Sequence, residues 1–92
     1  MLLHLGRDVS VFTDDIVMIM DAQSVLGAAA TQRFLMRAHD QDHTVQLCEQ
    51  DPKSYVLIRR RGQEEQLYGS PISAATLLKR CQEAERTRIR RS

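Results

Sequence analysis

Residues 52–73 read PKSYVLIRRRGQEEQLYGSPIS, and this stretch decides how the chain folds. The run at 55–58 (YVLI) is rich in aromatic and β-branched side chains and follows an Asp51-Pro52 turn signal, so it predicts a buried strand. A second run at 66–68 (QLY) comes after a polar connection that contains Gly62, and the two runs together predict a β-hairpin with a longer loop. The sequence GSP at 69–71 ends the second strand, and Ser73 can cap a following helix.

The first twenty residues predict three further strands. The segments 2–5 (LLHL) and 9–12 (VSVF) flank a turn signal at 6–8 (GRD), which predicts a short hairpin. After a break at 13–15 (TDD), the run 16–20 (IVMIM) is apolar at every position. Such a run predicts a strand covered on both faces, with a buried helical turn as the alternative.

Two helices and one more strand complete the predicted elements. Apolar side chains recur at helical spacing between 28 and 39, which predicts an amphipathic helix of about three turns. Val45 and Leu47 alternate with a polar residue and predict a short strand. The last helix is predicted to begin near Ser73 and to bury a stripe of small and aliphatic residues: Ala75, Leu78, Cys81 and Ala84, with Leu77 beside it.

These elements predict one α+β domain over residues 1–85, with a small, mostly antiparallel sheet of about five or six short strands and two helices. Residues 86–92 are rich in arginine and offer little to bury, so they predict a basic C-terminal end that frays or projects. A chain of 92 residues buries roughly two thirds of its extended surface, which makes independent stability modest. Association with copies of itself is therefore expected.

The composition argues against membrane and enzyme classes. No run approaches the ~20 apolar residues that cross a bilayer, and no basic region with an apolar segment opens the chain, so a cytosolic location is expected. The four glycines are scattered, and none of the known nucleotide-binding spacings fits. Cys48 and Cys81 are expected to be reduced structural thiols. We therefore expect no catalytic residue, no cofactor and no small-molecule substrate.

One pair of histidines has a spacing that zinc sites use. His39 and His43 stand four residues apart, which on a continuous helix would place both on one face. The intervening polar segment DQD predicts that the helix ends there, and no glutamate follows the first histidine as a metalloprotease motif requires. No metal site is predicted.

The basic residues are the better lead to a function. Residues 1–78 carry seven Lys and Arg against ten Asp and Glu, while residues 79–92 carry six against two. Arginines on rigid backbone at one edge of a domain can fork two donors onto one phosphate. The predicted DNA-binding residues are Lys53, Arg59, Arg60, Arg61, Lys79 and Arg80. The alternative is that such cations protect a sheet edge from aggregation, with Glu64 and Glu65 partly neutralising them.

Several short motifs, in order, resemble the extracellular matrix regulatory protein family and, within it, the RemB-type branch. They are 3–6 (LHLG), 14–21 (DDIVMIMD), 52–54 (PKS), 67–73 (LYGSPIS) and 76–80 (TLLKR), and together they span residues 1 to about 81. Each motif is short, but their order and spacing make the set fairly specific.

The resemblance implies a small bacterial cytosolic protein that takes part in transcription regulation of biofilm-matrix genes. It also implies a homo-oligomer, because the RemA branch of the family binds DNA as a ring with arginines around it. At two places where that branch carries arginines, this sequence has Asp15 and Asp51. The first hypothesis is DNA binding by an oligomer through the six cations named above. The alternative is an oligomeric protein-interaction module that modulates a partner without binding DNA.

Overall fold

The computed structural model describes residues 1–26, 33, 36 and 44–91. Along this part of the chain lie β1 (Leu2–Gly6), β2 (Val9–Phe12), a 3₁₀ turn (Thr13–Asp15), β3 (Ile16–Asp21), α1 (Ala22–Leu26), β4 (Thr44–Gln46), β5 (Ser54–Ile58), β6 (Gln66–Ser70) and α2 (Ala74–Arg91). The predicted helix at 28–39 lies outside the described residues, apart from Arg33 and Met36, which are helical.

The strands form two sheets. β1 and β2 make an antiparallel two-stranded ribbon, and the other four strands form a sheet in the order β3-β5-β6-β4. β3 and β6 both pair antiparallel with β5, whereas β4 runs parallel to β6. The predicted α+β class with a mostly antiparallel sheet and the predicted hairpin of residues 52–73 are therefore confirmed.

One core fills the space between the larger sheet, the ribbon and the last helix. The ribbon contributes Leu3, Leu5 and Val11, and α2 contributes Leu77, which is fully buried. From the sheet come Val56, Ile58 and Tyr68. Burying aliphatic side chains contributes about 1.5–3 kcal/mol each before entropy is counted, so this cluster is what holds the ribbon and the helix to one face of the sheet.

Two buried serines tie these layers together. Ser54 and Ser70 face each other in the register of β5 and β6, and both are fully buried. The Ser70 hydroxyl donates to the carbonyl oxygen of Leu5 and accepts from the amide of Ile72 at 3.0 Å. The Ser54 hydroxyl donates to the carbonyl oxygen of Ile72 at 2.7 Å. The serines thus fasten both the end of β1 and the turn before α2 to the centre of the sheet.

The start of α2 agrees with the predicted cap. The helix begins at Ala74, and the Ser73 hydroxyl oxygen accepts a hydrogen bond from the amide of Thr76 at 3.2 Å. This satisfies one of the amides that a helix leaves unpaired in its first turn. Helical backbone continues to Arg91, beyond Glu85, where the predicted apolar face ends.

The predicted inner stripe of this helix is wrong in two positions. Ala75 and Leu78 are exposed, and the inward side chains are Ala74, Leu77, Cys81 and Ala84. A repeated spacing of three residues drifts by roughly 60° per step on a helix with 3.6 residues per turn. The predicted stripe therefore winds around the helix, while alternating spacings of three and four keep the observed residues on one face.

The prediction that β3 is covered on both faces is also wrong. All six of its residues are half-buried or exposed, with Val17 51% and Met18 49% exposed. β5, by contrast, is buried at four of its five positions. β3 is exposed because it lies at the edge of the four-stranded sheet and, in the described chain, pairs only with β5.

Gly6 offers a test of how the ribbon packs on the sheet. A Cβ at this position would lie 2.8 Å from Cδ of Pro71, and its φ of +143° disfavours any other residue. Gly6→Ala is expected to lower the free energy of unfolding by about 2–4 kcal/mol, measured by urea denaturation. The control is Gly62→Ala, which has a positive φ of 77° but open space around it and should cost about 1–2 kcal/mol. Equal losses at the two sites would show that the contact with Pro71 contributes nothing.

Candidate nucleic-acid interface

The three consecutive arginines lie at the end of the central strand β5. The strand ends at Ile58, and the loop to β6 spans residues 59–65. The amide of Arg59 donates to the carbonyl oxygen of Asp15 at 2.9 Å, which fixes the start of the loop against the residue before β3. The amide of Gln63 donates to the carbonyl oxygen of Arg60 at 3.0 Å, which closes a turn with Arg61 and Gly62 at its corners. Backbone hydrogen bonds therefore hold residues 59–61, which we call the arginine loop, in a defined conformation.

Two of these arginines have acidic neighbours. Nε of Arg59 lies 3.7 Å from Oε1 of Glu65, and Nε of Arg60 lies 4.0 Å from Oδ2 of Asp15. The side chain of Arg59 is 68% exposed, and that of Arg60 is 42% exposed. Ion pairs this long and this exposed contribute little to stability, about 0–1 kcal/mol. A phosphate could therefore replace either carboxylate at small cost.

Arg61 is exposed at the tip of the loop. No ion pair joins it to any residue in the described part of the chain. Its guanidinium group can therefore bind a phosphate without first releasing a carboxylate.

Lys53 lies away from the arginine loop. It precedes β5 while the loop follows it, so the whole strand separates the two. At about 3.3 Å per residue, the Cα atoms of Lys53 and Arg59 are roughly 20 Å apart. Although these residues are close in sequence, the structure does not bring them together.

The predicted helix residues occupy a third position. Lys79 and Arg80 lie on α2, and both are exposed. They follow Leu77, the residue that anchors the helix in the core. The six predicted cations are thus distributed over the arginine loop, the segment before β5 and the helix.

A shallow groove of about 440 Å³ surrounds Lys53. Its walls come from the turn after β1, the segment before β5 and the turn before α2: Arg7, Cys48, Glu49, Gln50, Asp51, Lys53 and Pro71. The two cations face two carboxylates, so the charges in the groove balance. Sequence reasoning did not single out Arg7. Its only local signal is the turn motif at 6–8, where Arg7 adopts a left-handed conformation with φ of 49°.

One thiol and one phenol group, those of Cys81 and Tyr55, have raised pKa values. Burial, and secondly the charge of Glu85, raises the pKa of the Cys81 thiol. Burial also raises the pKa of the Tyr55 hydroxyl, with smaller contributions from Asp51 and Cys48. A raised thiol pKa lowers the thiolate fraction at neutral pH, which makes Cys81 a poor nucleophile.

No group of three or more His, Cys, Asp and Glu side chains that could hold a metal ion occurs within residues 1–26, 33, 36 and 44–91. The histidine pair His39 and His43 lies outside these residues. Across the same described ranges, no helix is both long and apolar enough to cross a membrane.

Compared with known proteins, the chain matches no protein-family model and no curated protein.

Proposed function

We propose that this chain is a non-enzymatic bacterial regulator of the extracellular matrix regulatory type, and that it binds DNA as a homo-oligomer. The observation that carries this proposal is the arginine loop. Three consecutive arginines follow the end of β5, on backbone that is hydrogen-bonded at Arg59 and Arg60. In this proposal the protein acts in the cytosol on transcription of biofilm-matrix genes.

The loop would bind DNA by exchanging its carboxylate partners for phosphate groups. Arg59 and Arg60 release Glu65 and Asp15, whose contacts are long and exposed, and each takes a phosphate oxygen pair in a shorter, charge-assisted contact. Arg61 adds a third cation without an exchange. Phosphate contacts of this kind position a protein on DNA but do not read the base sequence.

Oligomerisation supplies the affinity that one loop lacks. A protomer carries a formal charge of only +1, and the six predicted DNA-binding cations are spread over three separate places. In an assembly, the loops of several protomers contact one duplex, and their weak contacts multiply through effective concentration. Lys53, Lys79 and Arg80 would add contacts where neighbouring protomers bring them beside another protomer's loop.

A fluorescence anisotropy titration with a labelled mixed-sequence duplex tests this function. Binding is expected at ~50 mM salt and is expected to weaken steeply toward ~200 mM, because each neutralised phosphate releases counterions. Absence of binding at the lower salt concentration contradicts the proposal.

A second candidate function is a protein-interaction module, and the outer face of the β1-β2 ribbon favours it. Leu2 and Phe12 are opposite each other in the register of the two strands. Both point away from the core, at 63% and 58% exposure. Asp15 and Asp51, which replace cations of the RemA branch, also favour this candidate. An oligomer that does not bind DNA but does bind a folded partner protein would support this second function.

A further inference from the structure

The edge of the four-stranded sheet is an exposed apolar feature of the described chain. β3 carries five apolar residues in succession, Ile16 to Met20, yet none of them is fully buried. Its inner edge pairs with β5, and no strand in the described ranges pairs with its outer edge. Natural edge strands are usually protected by charged side chains, proline or bulges. β3 has a register irregularity between Ile16 and Met18, but from Met18 to Met20 it has none of these features.

The hydrogen bonds show which groups of β3 point outward. The amide of Ala22 donates to the carbonyl oxygen of Lys53, on the β5 side, at 3.1 Å. Because the backbone of an antiparallel strand alternates, Met20 and Met18 also direct their amides and carbonyls toward β5. Ile19 and Asp21 direct theirs away from the sheet, where they can pair with another strand.

We propose that the outer edge of β3 pairs antiparallel with β3 of a second copy of this chain, about a twofold axis at Ile19. Ile19 then lies opposite the partner's Ile19, and Met18 lies opposite the partner's Met20. The two four-stranded sheets become one continuous sheet of eight strands. This proposal rests on the self-association in the proposed function but not on DNA binding.

Charge and alternation select this register. Residues whose backbone amides and carbonyls point away from the sheet must lie opposite residues of the same kind in the partner. The twofold axis can therefore pass through one residue or another of the strand, but not between two residues. An axis at Met18 would bring Asp15, the last residue of the 3₁₀ turn, beside the partner's Asp21, and like charges brought together are destabilising. An axis one residue beyond Ile19 would set the first residues of β3 opposite the partner's α1, where no strand is available. With the axis at Ile19, Asp21 lies opposite the partner's Val17, and no carboxylates face each other.

The partner is a second copy because β3 complements itself. At the three central positions, Met18, Ile19 and Met20, apolar side chains lie opposite apolar side chains across the axis, and each copy supplies the backbone donors and acceptors that the other lacks. Such a twofold interface uses the same patch on both subunits and closes after two copies. Larger assemblies would need a further surface. The arginine loop is at the end of the sheet, so pairing along the edge of β3 leaves it accessible.

Light scattering on purified protein without DNA tests this interface through a matched pair of variants. Met18→Lys places a cation on the edge strand, at a side chain that is 49% exposed, so the fold should survive. The mass is expected to fall by half, with a dissociation constant raised at least about 10-fold. Leu78→Lys makes the same kind of change on α2, at a side chain that is 52% exposed, and should leave the mass unchanged. An unchanged mass for Met18→Lys overturns the proposal.

A cross-link tests the register. In a Cys48→Ser, Cys81→Ser background, Met18→Cys with Met20→Cys should yield a disulfide-linked dimer on oxidation by dissolved O₂ with a copper catalyst, because the thiol introduced at position 18 lies opposite the partner's thiol at position 20 in a closely spaced pair. Met18→Cys alone should yield none, since the two thiols would be attached to Cα atoms roughly 8 Å apart. Absence of the covalent dimer with both substitutions overturns the register. DNA titration of the same samples is a separate readout, so failure of the interface and failure of the proposed function are distinguishable.

Discussion

Replacing Leu77 by alanine is expected to lower the free energy of unfolding by about 2–5 kcal/mol. Leu77 is fully buried in the cluster that joins α2 to the ribbon and the sheet. Its removal takes apolar surface out of the core and leaves a cavity that the surrounding strands cannot fill completely. For a domain whose total stability is on the order of 5–15 kcal/mol, this is a large fraction.

The neighbouring residue provides the control. Leu78 is on the same helix, one position further along, but it is 52% exposed. Leu78→Ala should change the free energy of unfolding by at most about 0.5 kcal/mol. Urea denaturation, monitored by circular dichroism, measures the free energy of unfolding of both variants. If Leu77→Ala does not fold, Leu77→Met keeps the volume and should cost less than about 1.5 kcal/mol. A larger loss at Leu78 than at Leu77 would show that the helix packs on its other face.

Neutralising the arginine loop is expected to abolish most DNA binding. In the triple variant Arg59→Gln, Arg60→Gln and Arg61→Gln, affinity should fall about a thousand-fold, taking roughly 1.5 kcal/mol for each charge-assisted hydrogen bond. The slope of log affinity against log salt should also become shallower by about 0.9 for every phosphate that the variant no longer neutralises. The fold should be retained, because the ion pairs of Arg59 and Arg60 with Glu65 and Asp15 are long and exposed. Anisotropy titration over a range of salt concentrations measures both quantities.

A second triple variant removes the same charge elsewhere. Lys53→Gln, Lys79→Gln and Arg80→Gln neutralise three cations that the structure places away from the loop. Their combined effect on affinity should be smaller, since they touch DNA only where protomers meet. Equal losses of affinity in the two variants would mean that the protein attracts DNA through its general field and not through the loop.

The local elements of this fold could be predicted because their signals are local. Alternating side chains and turn motifs predict the strands, and a serine three residues before Thr76 predicts the cap of α2. The hairpin of residues 52–73 contains both of its strands and its turn, so no distant contact was needed to identify it.

Features that depend on the assembled sheet could not be predicted in the same way. The run at 16–20 is as apolar as a central strand, and only the strand order shows that it lies at an edge. Ser70 appears in the sequence as a turn residue, but its hydroxyl partner, the carbonyl of Leu5, is 65 positions away.

The candidate site was predicted in part. The three arginines had to share one loop because they are consecutive between two strands. Lys53 is close to Arg59 in sequence, yet an extended strand carries the chain from one end of the sheet to the other between them. The ion pairs of the loop with Asp15 and Glu65 depend on the pairing of β3 and β6 with β5. The function itself and the family resemblance remain predictions.

The most direct test of the central claim is the mass of the protein in solution, measured by light scattering alone and with a mixed-sequence duplex at ~50 mM and ~200 mM salt. We expect an oligomer that takes up DNA at the lower salt concentration and releases it at the higher. An oligomer whose mass does not change with DNA at either concentration would contradict DNA binding by this chain and favour the protein-interaction function.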